Sequence, residues 1–299
     1  MTEAETSAAN FLEELGINSY PIDPFEICQS LDIPVFENSF DGLDGILLFD
    51  GKNASIGLNS NQNYFPRKKF SVSHELGHFN LDVDYGKPKS FRCSSKMIEG
   101  FNKNNNIELR ADQFASELLI PKALVKSLYN YEEPSWDSII EVSNSFEVSL
   151  MSSAFKYMSL SKIPCCLIVS KDNMIQFYRP SKDFRYCLQM KDSRILSSDS
   201  FAYKSAKKLD TPQDFNIVPA DIWISGRNVS KDSELYEWSL PINSFGQVLT
   251  LLWDDETVLV DDDSDYLGTN NPYDIEEKNY SYDGVDNFPW KPPTLGKKK

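Results

Sequence analysis

His74 and His78 are the two histidines of this chain, and they enclose a glutamate in the run His74-Glu75-Leu76-Gly77-His78. Four residues is about one helical turn, so both imidazoles face the same way and can grip one divalent metal ion. Glu75, within the same turn, is then placed to take a proton from a water that the metal acidifies. Two histidines dropped at random into such a chain fall four apart in roughly 0.7 % of placements, so coincidence explains the spacing poorly.

A catalytic zinc takes three protein ligands and keeps a fourth position open. With no histidine left and no cysteine spacing to suggest one, the third ligand is expected to be a carboxylate. Asp84 follows His78 by six residues, as the third ligand does in HExxHxxGxxH, but Leu81 stands where that pattern has its chain-reversing glycine. The stronger candidate lies on the helix expected over residues 107–120. On its wheel Glu108, Ala111, Asp112, Ala115 and Leu119 share one face, and Arg110, Gln113 and Glu117 the other, which puts Glu117 in solvent. The two alanines let another helix come close, and a buried carboxylate pair needs a cation or donors to offset desolvation. Glu108 is therefore assigned as the third ligand. Asp112, one turn on, is assigned as the acceptor that orients a ligand histidine.

These side chains need positioning elements. Pro66 can open the helix that carries the histidines, with Val72, Leu76 and Phe79 towards a core and His74 and His78 nearly opposite, facing a cleft. Gly77 inside that helix costs about 1 kcal/mol relative to alanine, which points to a close approach there. Upstream, Asp23-Pro24-Phe25-Glu26 reads as an N-cap, an N1 proline and a capping-box glutamate, followed by Ile27, Cys28 and Leu31 on one face. Gly45–Phe49 and Ala54–Leu58, joined across Asp50-Gly51, read as a β-hairpin, a candidate edge for an extended substrate.

Composition narrows the class. With 40 % hydrophobic and 13 % aromatic residues the chain can build a core. The start, Met1-Thr2-Glu3-Ala4-Glu5, has neither the basic residues nor the apolar stretch of a secretory signal, and no apolar run approaches a membrane span. A soluble, cytoplasmic protein is expected. Five cysteines (Cys28, Cys93, Cys165, Cys166 and Cys187), with no C-x-x-C pair, indicate buried thiols rather than a disulfide framework or a cysteine metal site. A net charge of −15 opposes direct binding to nucleic acid. From Leu251 to Lys299 twelve acidic residues face five lysines, the make-up of a solvated tail.

Further along, residues 136–159 read as helix, turn (Phe146-Glu147-Val148-Ser149), helix. Between Trp136 and Lys162 only Lys156 and Lys162 oppose Asp137, Glu141 and Glu147, so a packing role is favoured over a phosphate contact. Beyond Pro164 the chain turns β-rich, with strands expected at 165–170, 174–178, 221–225, 235–240, 248–253 and 257–260 and turns at Lys171-Asp172-Asn173 and Asp254-Asp255-Glu256.

Taken together, Arg67, Phe70, His74 to His78, and the run Glu108, Ala111, Asp112, Phe114, Ala115, Leu118, Leu119 and Pro121 resemble the ImmA/IrrE family of zinc metallo-endopeptidases. The resemblance covers about residues 20–160 and implies a zincin-like peptidase fold, a zinc held by His74, His78 and Glu108, and a base at Glu75. It departs from the family at Ser73, where alanine is usual, at Asp112, where asparagine is, and at Ile120, where methionine is common. Members of the family are associated with cleaving helix-turn-helix repressors or antitoxins in stress responses and mobile elements. The expected α+β architecture is a zincin-like domain over 1–121, a helix-turn-helix-like segment over 122–162, a β-rich domain over 163–260 whose position matches a GAF-like sensor domain, and an extended acidic tail over 261–299. With both histidines used as ligands, oxyanion stabilisation falls to a tyrosine, an arginine or a backbone N–H. Tyr64 and Arg67 are near in sequence, and neither is preferred. The rival reading is a regulatory protein-binding module with a structural or latent zinc site.

Overall fold

Asp23 lies just ahead of Pro24, and in the computed structural model its carboxylate accepts from the Phe25 N–H at 2.8 Å. That cap opens helix α2 (Pro24–Ser30), whose Ile27 and Cys28 are buried while Glu26 is exposed. Helix α1 (Glu3–Glu14) precedes it. The structure describes residues 1–93, 106–129, 133–189, 194–209, 212–225, 229, 232–242 and 247–254. The expected turn beyond Asp254, the strand at 257–260 and the acidic tail lie outside these residues.

The hairpin forms as read, with β2 (Gly45–Phe49) antiparallel to β3 (Ala54–Asn59). At its turn Asp50 accepts from the N–H groups of Lys52 and Asn53, and Gly51 takes a φ of 99°. Two strands of this sheet escaped the reading: β1 (Val35–Asn38), parallel to β3, and β4 (Lys89–Cys93), antiparallel to β2. The sheet order is β1-β3-β2-β4. Since β2 is paired on both sides, the expectation of a substrate edge on the hairpin is corrected: among the described residues the edges of this sheet are β1 and β4. In β4 only Phe91 and Cys93 turn inward, too few apolar residues to give a strand signal.

Helix α3 (Phe65–Asp82) carries Pro66 in its first turn. Val72 and Leu76 face the core as expected, but the opposite side is covered too, so Ser71 to His78 are all buried. Helix α4 (Asn106–Leu119) follows, with Ala111, Phe114, Ala115 and Leu118 fully buried. The close approach anticipated at Gly77 is to α4: a Cβ there would lie 3.1 Å from both the Cα and the carbonyl oxygen of Ala111.

The chain divides into two compact units, Met1–Asn10 with Asp23–Ala115, and Phe11–Ile22 with the described residues from Ser116 onward. The second unit holds α5 (Lys122–Val125), the helix pair α6 (Trp136–Ser145) and α7 (Leu150–Leu160), and α8 (Phe201–Ala206). Its antiparallel sheet runs in the order β6-β5-β11-β10-β8, built from β5 (Cys165–Lys171), β6 (Met174–Pro180), β8 (Asn216–Pro219), β10 (Glu234–Ile242) and β11 (Gln247–Trp253). Asp172 and Asn173 both take positive φ, as a tight hairpin between β5 and β6 requires. The strand expected at 221–225 is shorter: Ala220–Ile222 is a 3₁₀ turn, and only β9 (Ile224–Ser225) is extended, paired with β7 (Cys187–Leu188).

Glu117 also corrects the helix-wheel reading. It is 2 % exposed, with its carboxylate 2.5 Å from the Lys156 ammonium of α7 and 2.9 Å from the Lys122 N–H. A charge assigned to solvent by its local neighbours is neutralised by a lysine 39 residues away.

Candidate metal centre

On α3 the four-residue spacing brings His74 Nε2 within 3.1 Å of His78 Nε2. Glu108 of α4 reaches both: Oε2 is 3.2 Å from His74 Nε2, and Oε1 is 3.5 Å from His78 Nε2. The helices come this near because Gly77 sets no side chain against Ala111. Behind each ring stands a carboxylate. His74 Nδ1–H donates to Asp112 at 2.8 Å, and His78 Nδ1–H donates to Asp82 at 3.0 Å. Both bonds turn the Nε2 lone-pair positions inward, towards Glu108.

The electrostatics follow from this packing. Burial disfavours the charged form of both rings, but the bonds to Asp112, Cys93 and Glu108 outweigh it at His74, whose pKa rises well above the ordinary value. At His78 burial is likewise overcome, by Asp82, Cys93 and Glu108, and the pKa is raised to about 10. Burial pulls Glu108 up, yet the two imidazoles hold it well below the usual carboxylate range. Two nitrogens and a carboxylate converging in this way need a shared cation, a proton or a metal ion.

Glu75 is fully buried, and neither of its carboxylate oxygens has a hydrogen-bond partner. Burial pushes it up to about 7, against the pull of His74 and His78. Gly45, the first residue of β2, makes room for it: a Cβ there would fall 2.5 Å from Glu75 Oε1. An unpaired buried carboxyl is expensive, so its place beside the histidines is not explained by packing alone.

Residues 28–158 match the sequence profile of a peptidase family described as the IrrE N-terminal-like domain. This segment belongs to the ImmA/IrrE family. A solved structure named as a Mycobacterium tuberculosis transcriptional regulator aligns with a TM-score of 0.51 at 13 % identity, over 85 % of this chain and 77 % of that one. A likeness at that identity concerns the fold alone. No curated protein matches the chain.

Within this ImmA/IrrE domain the structure brings together His74, Glu75, His78, Glu108 and Asp112, the residues singled out from sequence, and leaves Asp84 out. Asp84 is exposed and pairs with Lys87 at 3.2 Å. Arg67 is engaged with Asp44 at 3.1 Å, and Tyr64 sits at the N-cap of α3. Three contributors were missed. Asp82 lies four residues after His78 on one helix, so the i, i+4 rule could have found it. Gly45 carried no signal beyond a strand start.

The third is Cys93, which corrects the expectation that no cysteine joins the site. Its donor atom and those of His74, His78 and Glu108 all lie within 4.8 Å of one another. The pairing of β4 with β2 places it there. That pairing carries no sequence motif, and a lone cysteine without C-x-x-C spacing gave no warning.

Proposed function

We propose that the ImmA/IrrE domain is a zinc-dependent endopeptidase that cleaves a protein partner. Zinc would be held by His74, His78 and Glu108, with Glu75 as the base and Asp112 as the acceptor that orients His74. One observation carries the reading: a buried Glu75 carboxylate without partners stands beside three converging donors. The donors suit zinc. Two imidazole nitrogens 3.1 Å apart and a carboxylate within 3.2 and 3.5 Å of them are the ligand types that a catalytic zinc takes.

When bound, zinc supplies polarisation of the scissile carbonyl and a water made acidic near neutrality. Glu75, buried beside the histidines, would take the proton from the attacking water and pass it to the leaving amine. Asp112 and Asp82 fix the tautomers of the two rings, so their Nε2 atoms remain available as donors. Gly45 leaves the space in which the Glu75 carboxyl can act.

The family's association with repressors and antitoxins, and the fold shared with a protein named as a transcriptional regulator, support a small regulatory protein as the substrate. The test is incubation of the full chain with the product of the adjacent gene, read by intact mass. The wild-type chain should give two defined fragments. Glu75→Gln should keep its zinc and give none. Fragments from the variant would defeat the base assignment, and a stable complex uncleaved by either form would favour a binding module instead.

A further inference from the structure

We infer that Cys93 is a fourth protein ligand, its thiolate closing the coordination position that a working site leaves open, so that the centre rests in a latent form. The inference rests on the metal centre proposed above and deepens it.

Strand register puts the thiol in place. Cys93 pairs with Gly45 of β2, and its carbonyl accepts from the Asp44 N–H at 2.8 Å, so the end of β4 is anchored beside Glu75. Two residues earlier, on the same inward face, Phe91 stacks on the His78 ring with centroids 4.3 Å apart. A buried thiol ordinarily packs among aliphatic groups. Cys93, 5 % exposed, instead joins two imidazoles and the Glu108 carboxylate, all four donor atoms lying within 4.8 Å of one another. A second observation points to a ligand in the same place: both Glu75 oxygens are buried without partners next to this cluster.

Four protein ligands mark a closed structural site, whereas a base beside the metal has a use only in an open one. A chain that has both is equipped for hydrolysis and held in check: the wild-type chain cleaves only from the fraction in which the thiolate has left the metal. The soft sulfur also biases the site towards zinc or cobalt over magnesium or calcium. Opening breaks one metal–sulfur contact, and the departing thiolate takes a proton from solvent. No electron moves.

The test loads the full chain with Co(II). One cobalt per chain is expected, with the visible bands of a four-coordinate ion and a near-ultraviolet thiolate-to-cobalt charge-transfer band. Cys93→Ala should bind cobalt and lose that band. Cobalt bound by the wild-type chain without the band would overturn the role of Cys93 and leave the three-ligand centre standing, while failure to bind cobalt would overturn both. Zinc X-ray absorption on the unaltered chain avoids any folding defect of the variant. One sulfur at about 2.3 Å supports the assignment, and a shell of nitrogen and oxygen alone overturns it. For latency the readout is casein hydrolysis: Cys93→Ala should cleave faster than wild type, and an equal or lower rate would contradict a site held shut.

Discussion

Asp112 and Asp82 stand behind the two imidazoles at 2.8 and 3.0 Å, and at the residue scale they distinguish a metal site from two neighbouring histidines. Each fixes a tautomer and raises the basicity of the ring it touches. Replacing either with alanine should weaken zinc binding by about 10–100-fold, measured by competition with a chromogenic chelator; undiminished affinity would show that the ring needs no such support. The same bonds set a pH dependence. Because these bonds raise both imidazoles above their ordinary pKa, protonation of the ring pair competes with zinc, which needs neutral rings. Glu108, held low, is already ionised and contributes no proton. Affinity should therefore rise with pH and be lost as the pH falls. Calorimetry in buffers of different ionisation enthalpy should show protons released as zinc binds, with one fewer released by Cys93→Ala, and a buffer-independent heat would contradict the assignment.

Among the elements, helix contacts decide both the site and the stability of the second unit. Lys156 of α7 and Glu117 at the end of α4 form a buried ion pair, with side chains 4 % and 3 % exposed. Removing one partner strands the other's charge, so Lys156→Met should cost about 3–5 kcal/mol, and adding Glu117→Leu should restore much of the loss. Urea unfolding followed by tryptophan fluorescence reports mainly on this unit, since four of the five tryptophans, Trp136, Trp223, Trp238 and Trp253, lie in it; a single variant as stable as wild type would contradict the pairing. The pair also shows where sequence reading stops. Local periodicity found α3, α4, the first hairpin and most of the second sheet, because those elements declare themselves within ten or so residues. Glu117 was misplaced because its partner comes from a distant helix. Strand β4, and with it Cys93, stayed hidden because two inward residues make no pattern. The centre itself was legible where chemistry and spacing coincide, at His74, Glu75 and His78, and one step further through the small residues that let α4 bring Glu108 and Asp112 in. Asp82 obeyed the same spacing rules and was overlooked.

For the molecule as a whole, an acidic chain with a net charge of −15 is suited to meeting a protein rather than a phosphate backbone. No described helix is long and apolar enough to cross a membrane. The peptidase-family segment occupies residues 28–158, and the five-stranded sheet follows it in the chain. All of this turns on whether a metal is bound where the two helices meet. Anomalous diffraction at the zinc edge from crystals of the full chain tests that directly. A single peak within bonding distance of His74 Nε2, His78 Nε2 and the Glu108 carboxylate is the predicted result. A fully zinc-supplemented crystal with no peak there, or with its peak elsewhere, would contradict the account.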